Sequence, residues 1–317
     1  GIPLRPARNA DISDADSNLG IVTARGNWKG KTKGGLVRTC DNFKTFDRIG
    51  MPFGINTEID KKLHEIENPN VNAGWVAVSP DGVNIVWSVA DGIRLPVELV
   101  LVSNDGGHSF QKAGVFDLAG QPVEMGYLKV FSDRSRKDLF YGFGGESEIY
   151  VSRDGGRNFY QKQPKEAFPV CDFGYIDTAN KTEVRGEGGK TGIFYLALGD
   201  AGLYKLCYDT KTEEIHVKRL TDTGDACYRM GLGVIGEDRD YLTEEKVIYF
   251  CGRLEGEYGF YRTFDEGKSY ERLNQDNQMY GEINSIDGDK RKFGRFFLAT
   301  GSRGVLYGEM KRQSRKI

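Results

Sequence analysis

Apolar residues in this sequence occur in short runs separated by clusters of Gly, Asp, Asn and Ser. Residues 99–102, 149–151 and 193–198 are examples, and they are rich in β-branched and aromatic side chains. Runs of this length between turn-forming residues predict β-strands. Long stretches with helical periodicity are scarce; residues 57–67 predict one short helix. We therefore expect an all-β protein.

One turn motif, the Asp box, follows several of these runs. Its aspartate can accept hydrogen bonds from N–H groups of the turn, its Ser or Thr can bond locally, and its Gly can adopt backbone angles closed to other residues. Four carboxylates in equivalent places are more than a catalytic site uses, so we predict that the box aspartates are structural. The copies are Thr39-x-Asp41-x-Phe43-x-Thr45-Phe46, Ser103-x-Asp105-x-Gly107-x-Ser109-Phe110, Ser152-x-Asp154-x-Gly156-x-Asn158-Phe159 and Thr263-x-Asp265-x-Gly267-x-Ser269-Tyr270.

The spacing of the boxes predicts a repeated unit of about 50 residues, because the gap between Asp154 and Asp265 is about twice the others and holds a degenerate box, Cys207-x-Asp209. Several short strands per repeat are typical of β-propeller blades. We predict one β-propeller domain over residues 1–317, with about six to seven four-stranded blades. Either an N-terminal strand or a further blade would close the ring. Inner strands are expected near residues 19–24, 75–79, 128–132, 173–176, 231–236 and 283–286.

Composition and charge narrow the functional classes. The chain of 317 residues has a net charge of -2, with acidic and basic residues mixed along it, so we expect no nucleic-acid partner. No apolar stretch reaches the length of a membrane span, and we expect no membrane partner.

Five cysteines cannot all pair, and their spacing matches no zinc site; one disulfide is possible and mostly free thiols are expected. Three scattered histidines suggest no triad, and we expect no metal and no cofactor.

Three carboxylates precede the first predicted inner strand. Asp11, Asp14 and Asp16 could repel one another and so raise a pKa, as acid–base chemistry requires. The same residues are also typical of a solvated loop. Asp14 and Asp16 are the catalytic candidates, and Trp28 is a candidate exposed aromatic residue.

Segments near the C-terminus carry a family resemblance. They are residues 270–276 (Tyr-Glu-Arg-Leu-Asn-Gln-Asp), the Gly288-Asp289 turn and the closing segment, residues 293–308. These three segments resemble the C-terminal end of glycoside hydrolase family 74. This family comprises xyloglucanases and oligoxyloglucan reducing-end-specific cellobiohydrolases. Earlier segments agree more loosely, including Gly199-x-x-Gly202. The resemblance extends over nearly the whole chain and is strongest in the last 60 or so residues.

The resemblance implies one of two facing propellers that together cleave the β-1,4-glucan backbone of xyloglucan with inversion. Each propeller would supply one aspartate, and neither characteristic aspartate segment is found in this chain. The resemblance therefore implies a β-glucan-binding propeller whose catalytic aspartates lie outside the chain and whose partners are a polysaccharide and a second propeller. It also implies an extracellular protein whose signal peptide is not in this chain.

Residues that lead into the predicted inner strands are the candidates for sugar binding, since aromatic rings, carboxylates and amides suit sugar faces and hydroxyl groups. Each aromatic residue could instead pack between blades. Tyr280 lies where the family has an aromatic residue, with Gln278 in the place of the family's histidine. An alternative function is a non-catalytic Asp-box propeller that binds carbohydrate or protein. The candidates are Trp75, Tyr127, Asp172, Phe173, Tyr228, Arg229, Tyr280 and Asn284.

Overall fold

The computed structural model describes residues 10–13, 16, 18–24, 35–49, 72–90, 99–124, 128–145, 148–169, 177–181, 190–236 and 246–310. These residues form strands, turns and irregular segments without an α-helix, so the predicted all-β class is confirmed. The short helix predicted over residues 57–67 lies outside the described ranges. In the described part of the chain, no helix has the length and apolar character needed to cross a membrane.

The chain divides into two compact units, Gly1–Gln163 and Pro164–Ile317, and the described residues of each form three sheets. The strands of the first unit are β1 (Ala10–Ile12), β2 (Gly20–Ala24), β3 (Gly35–Thr39), β4 (Asp47–Ile49), β5 (Asn72–Val78), β6 (Ile85–Ala90), β7 (Leu99–Ser103), β8 (Gln111–Lys112), β9 (Gly114–Phe116), β10 (Lys129–Ser132), β11 (Phe140–Phe143), β12 (Ile149–Ser152) and β13 (Asn158–Lys162). Those of the second unit are β14 (Asp177–Lys181), β15 (Lys190–Ala197), β16 (Leu203–Asp209), β17 (Ile215–Arg219), β18 (Ala226–Val234), β19 (Lys246–Leu254), β20 (Glu257–Thr263), β21 (Glu271–Arg272), β22 (Ile283–Gly288), β23 (Arg295–Thr300) and β24 (Val305–Glu309).

Each sheet contains an antiparallel meander, in which consecutive strands are neighbours. Sheets 1 and 2 contain β1–β4 and β5–β8, and sheet 3 contains β10–β13 with β9 added parallel to β13. Sheets 4 and 5 contain β14–β17 and β18–β21, and sheet 6 contains β22–β24. The number of blades in a complete ring and the closure of that ring stay predictions.

The first strand of sheet 1 corrects the sequence-based expectation. Residues 19–24 were expected to form the inner strand, but Gly20–Ala24 is the second strand and pairs with Ala10–Ile12. The side chains of Ala10–Ile12 are exposed or half-buried, so this strand has no apolar run in the sequence. In sheet 5 the first strand begins at Ala226, earlier than predicted, and residues 173–176 lie outside the described ranges.

The hydrophobic core lies between neighbouring sheets within each unit. In the first unit, Val86 of sheet 2 and Phe140 of sheet 3 belong to one buried cluster. In the second unit, Phe250 of β19 faces sheet 4, whereas its neighbour Tyr249 packs with Phe296 of sheet 6. Successive side chains of a strand point to opposite faces, so β19 is buried on both sides.

Each Asp box forms the turn between the third and fourth strands of its sheet. Asp265 accepts hydrogen bonds from the Ser269 N–H (2.9 Å), the Ser269 hydroxyl (2.6 Å) and the Thr263 hydroxyl (2.8 Å). These hydrogen bonds lower the pKa of Asp265 to about 2, and the bond from the Ser269 hydroxyl has the largest effect. Equivalent bonds from residues 45, 109 and 158 reach Asp41, Asp105 and Asp154.

The boxes also join neighbouring sheets of the first unit. The carbonyl of Gly106 in the second box accepts a hydrogen bond from Arg38 Nη1 of sheet 1 (2.9 Å), and that of Gly155 in the third box accepts one from Asn104 Nδ2 of sheet 2 (2.9 Å). Both glycines have positive φ, 71° and 75°. The left-handed residue after each aspartate therefore turns its carbonyl toward the preceding sheet.

In the fourth box, a side chain rather than a backbone carbonyl makes the contact with the preceding sheet. Glu266, with φ 55°, accepts hydrogen bonds from Tyr195 Oη and Lys205 Nζ of sheet 4, both at 2.7 Å. In the degenerate box of sheet 4, both Cys207 and Asp209 lie within β16, whereas the aspartates of the other boxes follow the third strand of their sheets. Asp209 accepts the Lys211 N–H at 2.7 Å and so supports a shorter turn.

The first box differs because Phe43 occupies the glycine position with φ 63°. In the other boxes this glycine lies close to the preceding sheet: a Cβ on Gly107 would be 2.9 Å from Ile49 Cδ1, and one on Gly156 would overlap Val86. Sheet 1 is the first sheet among the described residues, and the Phe43 side chain there is 37% exposed.

We expect Gly156→Ala to destabilise the protein more than Gly120→Ala. Both glycines have positive φ, so each substitution introduces left-handed strain of about 1–2 kcal/mol. The Cβ at Gly120 meets open space, whereas that at Gly156 meets Val86, which adds overpacking of about 1–3 kcal/mol. Urea unfolding of both variants measures the difference; equal losses would contradict sheet-to-sheet contact at the box glycine.

We expect the free energy of unfolding to fall between about pH 4 and pH 2 as the box carboxylates of Asp41, Asp105 and Asp265 protonate. The folded pKa of Asp265 is about 2, below the ordinary value of about 3.9 for an unfolded chain, so its stabilisation is present above pH 4 and lost as the pH falls through 2. Thermal unfolding from pH 5 to pH 2 should show a shallower acid decline for Asp265→Asn. Asp276→Asn, which removes a carboxylate that is 88% exposed and lies outside the boxes, is the control for the change in net charge.

Candidate functional site

A group of polar side chains lies where the first strands of sheets 5 and 6 begin. The turn between β15 and β16 reaches the same place, because Gly199 and Cys227 exchange two backbone hydrogen bonds of 2.8 Å. The turn between β19 and β20 is also at this end of the meander. We call the group the strand-start cluster; its members are Asp200, Tyr228, Arg229, Arg253 and Asn284.

β-Bulges determine where these side chains point. The register of β18 against β19 shifts between Cys227 and Arg229, at Tyr228, and that of β22 against β23 shifts between Ile283 and Ser285, at Asn284. A bulge inserts one residue and redirects its side chain, and bulges are frequent beside functional sites. Both extra residues were predicted sugar contacts, and the structure brings them to one place.

Asp200 is the acidic centre of the cluster. Its Oδ1 accepts hydrogen bonds from Tyr228 Oη (3.0 Å) and Arg253 Nη2 (3.4 Å). The Asp200 side chain is 81% exposed and that of Arg253 is 44% exposed, so the pair faces solvent. Burial, followed by the hydrogen bond and the charge of Asp200, raises the pKa of Tyr228. The phenol therefore stays protonated and donates at neutral pH.

Arg229 joins the two bulged strands. Its Nη1 donates to the Tyr228 carbonyl (2.7 Å) and its Nε donates to the Asn284 carbonyl (3.2 Å). These bonds hold the starts of β18 and β22 together and leave the Asn284 residue exposed. One carboxylate, two guanidinium groups, a phenol and an amide are thus displayed on one surface, a set of donors and acceptors that can bond to ligand hydroxyl groups.

Inverting hydrolysis of a glycoside requires two carboxyl groups. That reaction uses one carboxylic acid and one carboxylate about 6.5–9.5 Å apart. The strand-start cluster holds a single carboxylate, Asp200. The box aspartates lie at the opposite ends of their sheets, because a box follows the third strand whereas the cluster forms where first strands begin.

The other predicted site residues are placed elsewhere. Trp75 follows a bulge in β5 of the first unit, is half-buried, and has Lys129 Nζ 4.9 Å from its ring centroid. Asp16 is exposed and accepts hydrogen bonds from the Asn18 N–H (2.9 Å) and Nδ2 (3.0 Å), so it supports a turn. Tyr280 stacks on Phe260 with ring centroids 6.2 Å apart. The remaining candidates, Asp14, Trp28, Tyr127, Asp172 and Phe173, lie outside the described residues.

Sequence reasoning missed Asp200 and Arg253. Asp200 lies in a turn bounded by Gly199 and Gly202, both with positive φ. Arg253 precedes the two-residue turn Glu255-Gly256, which has two positive φ values and connects β19 to β20. Polar residues beside such turns are the signal that could have identified them. In the described part of the chain, no group of three or more His, Cys, Asp or Glu residues is placed to hold a metal ion.

The meander sheets and their boxes define an all-β protein of the Asp-box class. No family model matches the sequence. A xyloglucanase from Paenibacillus sp. is 32% identical over 238 residues, which are 74% of this chain and 20% of that protein. The xyloglucanase Xgh74A from Acetivibrio thermocellus is 29% identical over 245 residues, 77% of this chain and 25% of that protein.

The solved structure of the GH74 xyloglucanase from Xanthomonas campestris has a similar fold, with a TM-score of 0.67 at 20% identity over 98% of this chain and 38% of that one. The resemblance to glycoside hydrolase family 74 is therefore confirmed, and this chain is a homologue of the xyloglucanases. It spans about a fifth to a quarter of the length of the curated relatives it matches.

We expect Asp200→Asn to lower the pKa of Tyr228 toward its ordinary value, because the substitution removes the negative charge beside the phenol. NMR titration of protein labelled at the tyrosine ring carbons would measure the change. The exposed variant Asp276→Asn is the control. An unchanged Tyr228 titration in Asp200→Asn would show that the hydrogen bond is not formed in solution.

Proposed function

We propose that this chain binds the β-1,4-glucan backbone of xyloglucan, or its side-chain sugars, at the strand-start cluster. The observation that supports the site is the coincidence of two β-bulges, at Tyr228 and Asn284, beside Asp200. The observation that supports the substrate is the similarity to xyloglucanases over three quarters of the chain.

In this proposal the chain is part of a longer, secreted xyloglucanase and acts together with a second propeller domain. The catalytic aspartates lie outside the described cluster, because Asp200 is its one carboxylate and an inverting hydrolase uses two. The contribution of this chain is to hold the glucan so that the reacting bond is presented to groups supplied elsewhere. The predicted propeller ring, with one domain over residues 1–317, forms part of the same proposal.

The alternative is a propeller that binds carbohydrate or protein without turnover. The single carboxylate of the strand-start cluster is compatible with this function as well. An assay of the complete protein on xyloglucan distinguishes the two: release of products with inverted anomeric configuration supports the hydrolase, whereas binding without release of reducing ends supports the binding protein.

We expect Tyr228→Phe and Asn284→Ala each to weaken binding of a xyloglucan oligosaccharide by about 2- to 10-fold, the effect of losing one hydrogen bond of about 0.5–1.5 kcal/mol. Isothermal titration calorimetry measures the affinities. Tyr160→Phe, which removes a hydroxyl from a tyrosine 46% exposed in the first unit, is the matched control and should bind like the parent. Parent-like affinity of both cluster variants would refute the site.

A further inference from the structure

A separate cavity of about 400 Å³ lies between sheets 5 and 6, within the second unit. This volume falls in the range of about 300–1,000 Å³ that small-molecule sites occupy. Sheet 5 contributes Phe260 and the segment after β21, and sheet 6 contributes Phe296, Leu298 and Leu306. None of the five residues of the strand-start cluster lines it.

The polar lining of the cavity is balanced in charge. Arg262, whose side chain is 5% exposed, donates from Nε (2.8 Å) and Nη2 (2.6 Å) to Glu271 Oε2. Arg272 and Glu309 add one charge of each sign, and each has its own ion pair at the surface. Two positive and two negative groups neither attract nor repel a net charge, so the lining favours a neutral ligand.

Amide and aromatic groups complete the lining. Asn274, 9% exposed, is fixed by the Phe260 N–H, which donates to its Oδ1 at 2.8 Å. Gln278 and Tyr280 follow in the same segment and also line the cavity. Amides present donors and acceptors together, as sugar hydroxyl groups require, and ring faces suit the apolar faces of a pyranose.

The conformation of Tyr280 is an independent sign of function. Its φ is 51°, an unfavourable region for a bulky side chain, and it holds the ring parallel to Phe260 at an interplanar angle of 6°. Backbone strain of this kind is concentrated at binding and catalytic sites. The strain places an aromatic ring at the wall of the cavity.

We propose that the cavity between sheets 5 and 6 is a second binding site, for a neutral mono- or disaccharide unit. The site goes beyond the function proposed for the strand-start cluster and does not depend on it. A saccharide here would pack against Tyr280, whose ring is backed by the buried Phe260, and would bond to Gln278 and to the Arg262–Glu271 pair. No covalent step is involved.

Cellobiose is the probe for this site, tested by ligand-observed saturation-transfer NMR and by soaking crystals of the protein. We expect Tyr280→Leu, which keeps apolar bulk, to weaken cellobiose binding at least 5-fold and Gln278→Ala to weaken it about 2- to 10-fold. Tyr160→Leu is the matched control, because Tyr160 also stacks on a phenylalanine, Phe116, at 4.9 Å in the first unit. Circular dichroism verifies that each variant is folded. If Tyr280→Leu does not fold, the affinity of Gln278→Ala for cellobiose tests the proposal alone.

The two proposed sites are distinguished by a second comparison. Binding of cellobiose that persists in Tyr228→Phe and is weakened by Gln278→Ala supports the cavity, whatever happens at the strand-start cluster. Cellobiose binding that is lost in Tyr228→Phe and unchanged in Gln278→Ala overturns the cavity site and leaves the proposed function intact. Absence of any saturation transfer from the parent protein to cellobiose overturns the cavity site as well. The xyloglucan titration tests the strand-start cluster separately.

Discussion

The structure depends on one turn, in which a buried hydroxyl and an aspartate fix the backbone so that the next residue is left-handed. In the box at Asp105, the Ser103 hydroxyl accepts the Gly107 N–H at 2.8 Å while donating to Asp105 at 2.6 Å. The left-handed Gly106 between them directs its carbonyl toward Arg38 of the preceding sheet at 2.9 Å. A local hydrogen-bonded turn is thereby also the contact between two sheets, and its repetition at Gly155 joins sheet 3 to sheet 2 in the same way.

Stacking in this way buries the middle strands on both faces, which explains their composition. The second strand of sheet 5, Lys246–Leu254, has apolar residues at successive positions because Tyr249 and Phe250 enter different interfaces. Glycines are needed where first strands approach most closely: a Cβ on Gly231 would be 2.5 Å from the Ile286 carbonyl oxygen. Burial of apolar side chains between the sheets contributes most of the free energy that stabilises the fold, and the boxes fix the geometry in which the sheets meet.

The sequence predicted the features that arise from local patterns and missed those that arise from tertiary neighbours. The box turns and the all-β class follow from spacing and composition. The strand Ala10–Ile12 was missed because its exposed and half-buried side chains carry no periodic apolar signal. Tyr228 and Asn284 were found because they lie at the starts of apolar strands. Asp200, the partner of Tyr228, comes from a neighbouring sheet through a backbone bridge at Gly199, which no local pattern encodes.

The meander topology separates two kinds of aspartate in this chain, the box carboxylates and Asp200 of the strand-start cluster. Turns between third and fourth strands and the starts of first strands lie at opposite ends of a sheet, so Asp265 is remote from the Tyr228 end of sheet 5. Both oxygens of Asp265 are used within its own turn, and its pKa of about 2 keeps it ionised at neutral pH. Asp200, by contrast, is 81% exposed and bonds groups that come from another sheet. An exposed carboxylate held between a phenol and a guanidinium group can exchange those partners for ligand hydroxyl groups, whereas a box carboxylate would have to open its turn to do so.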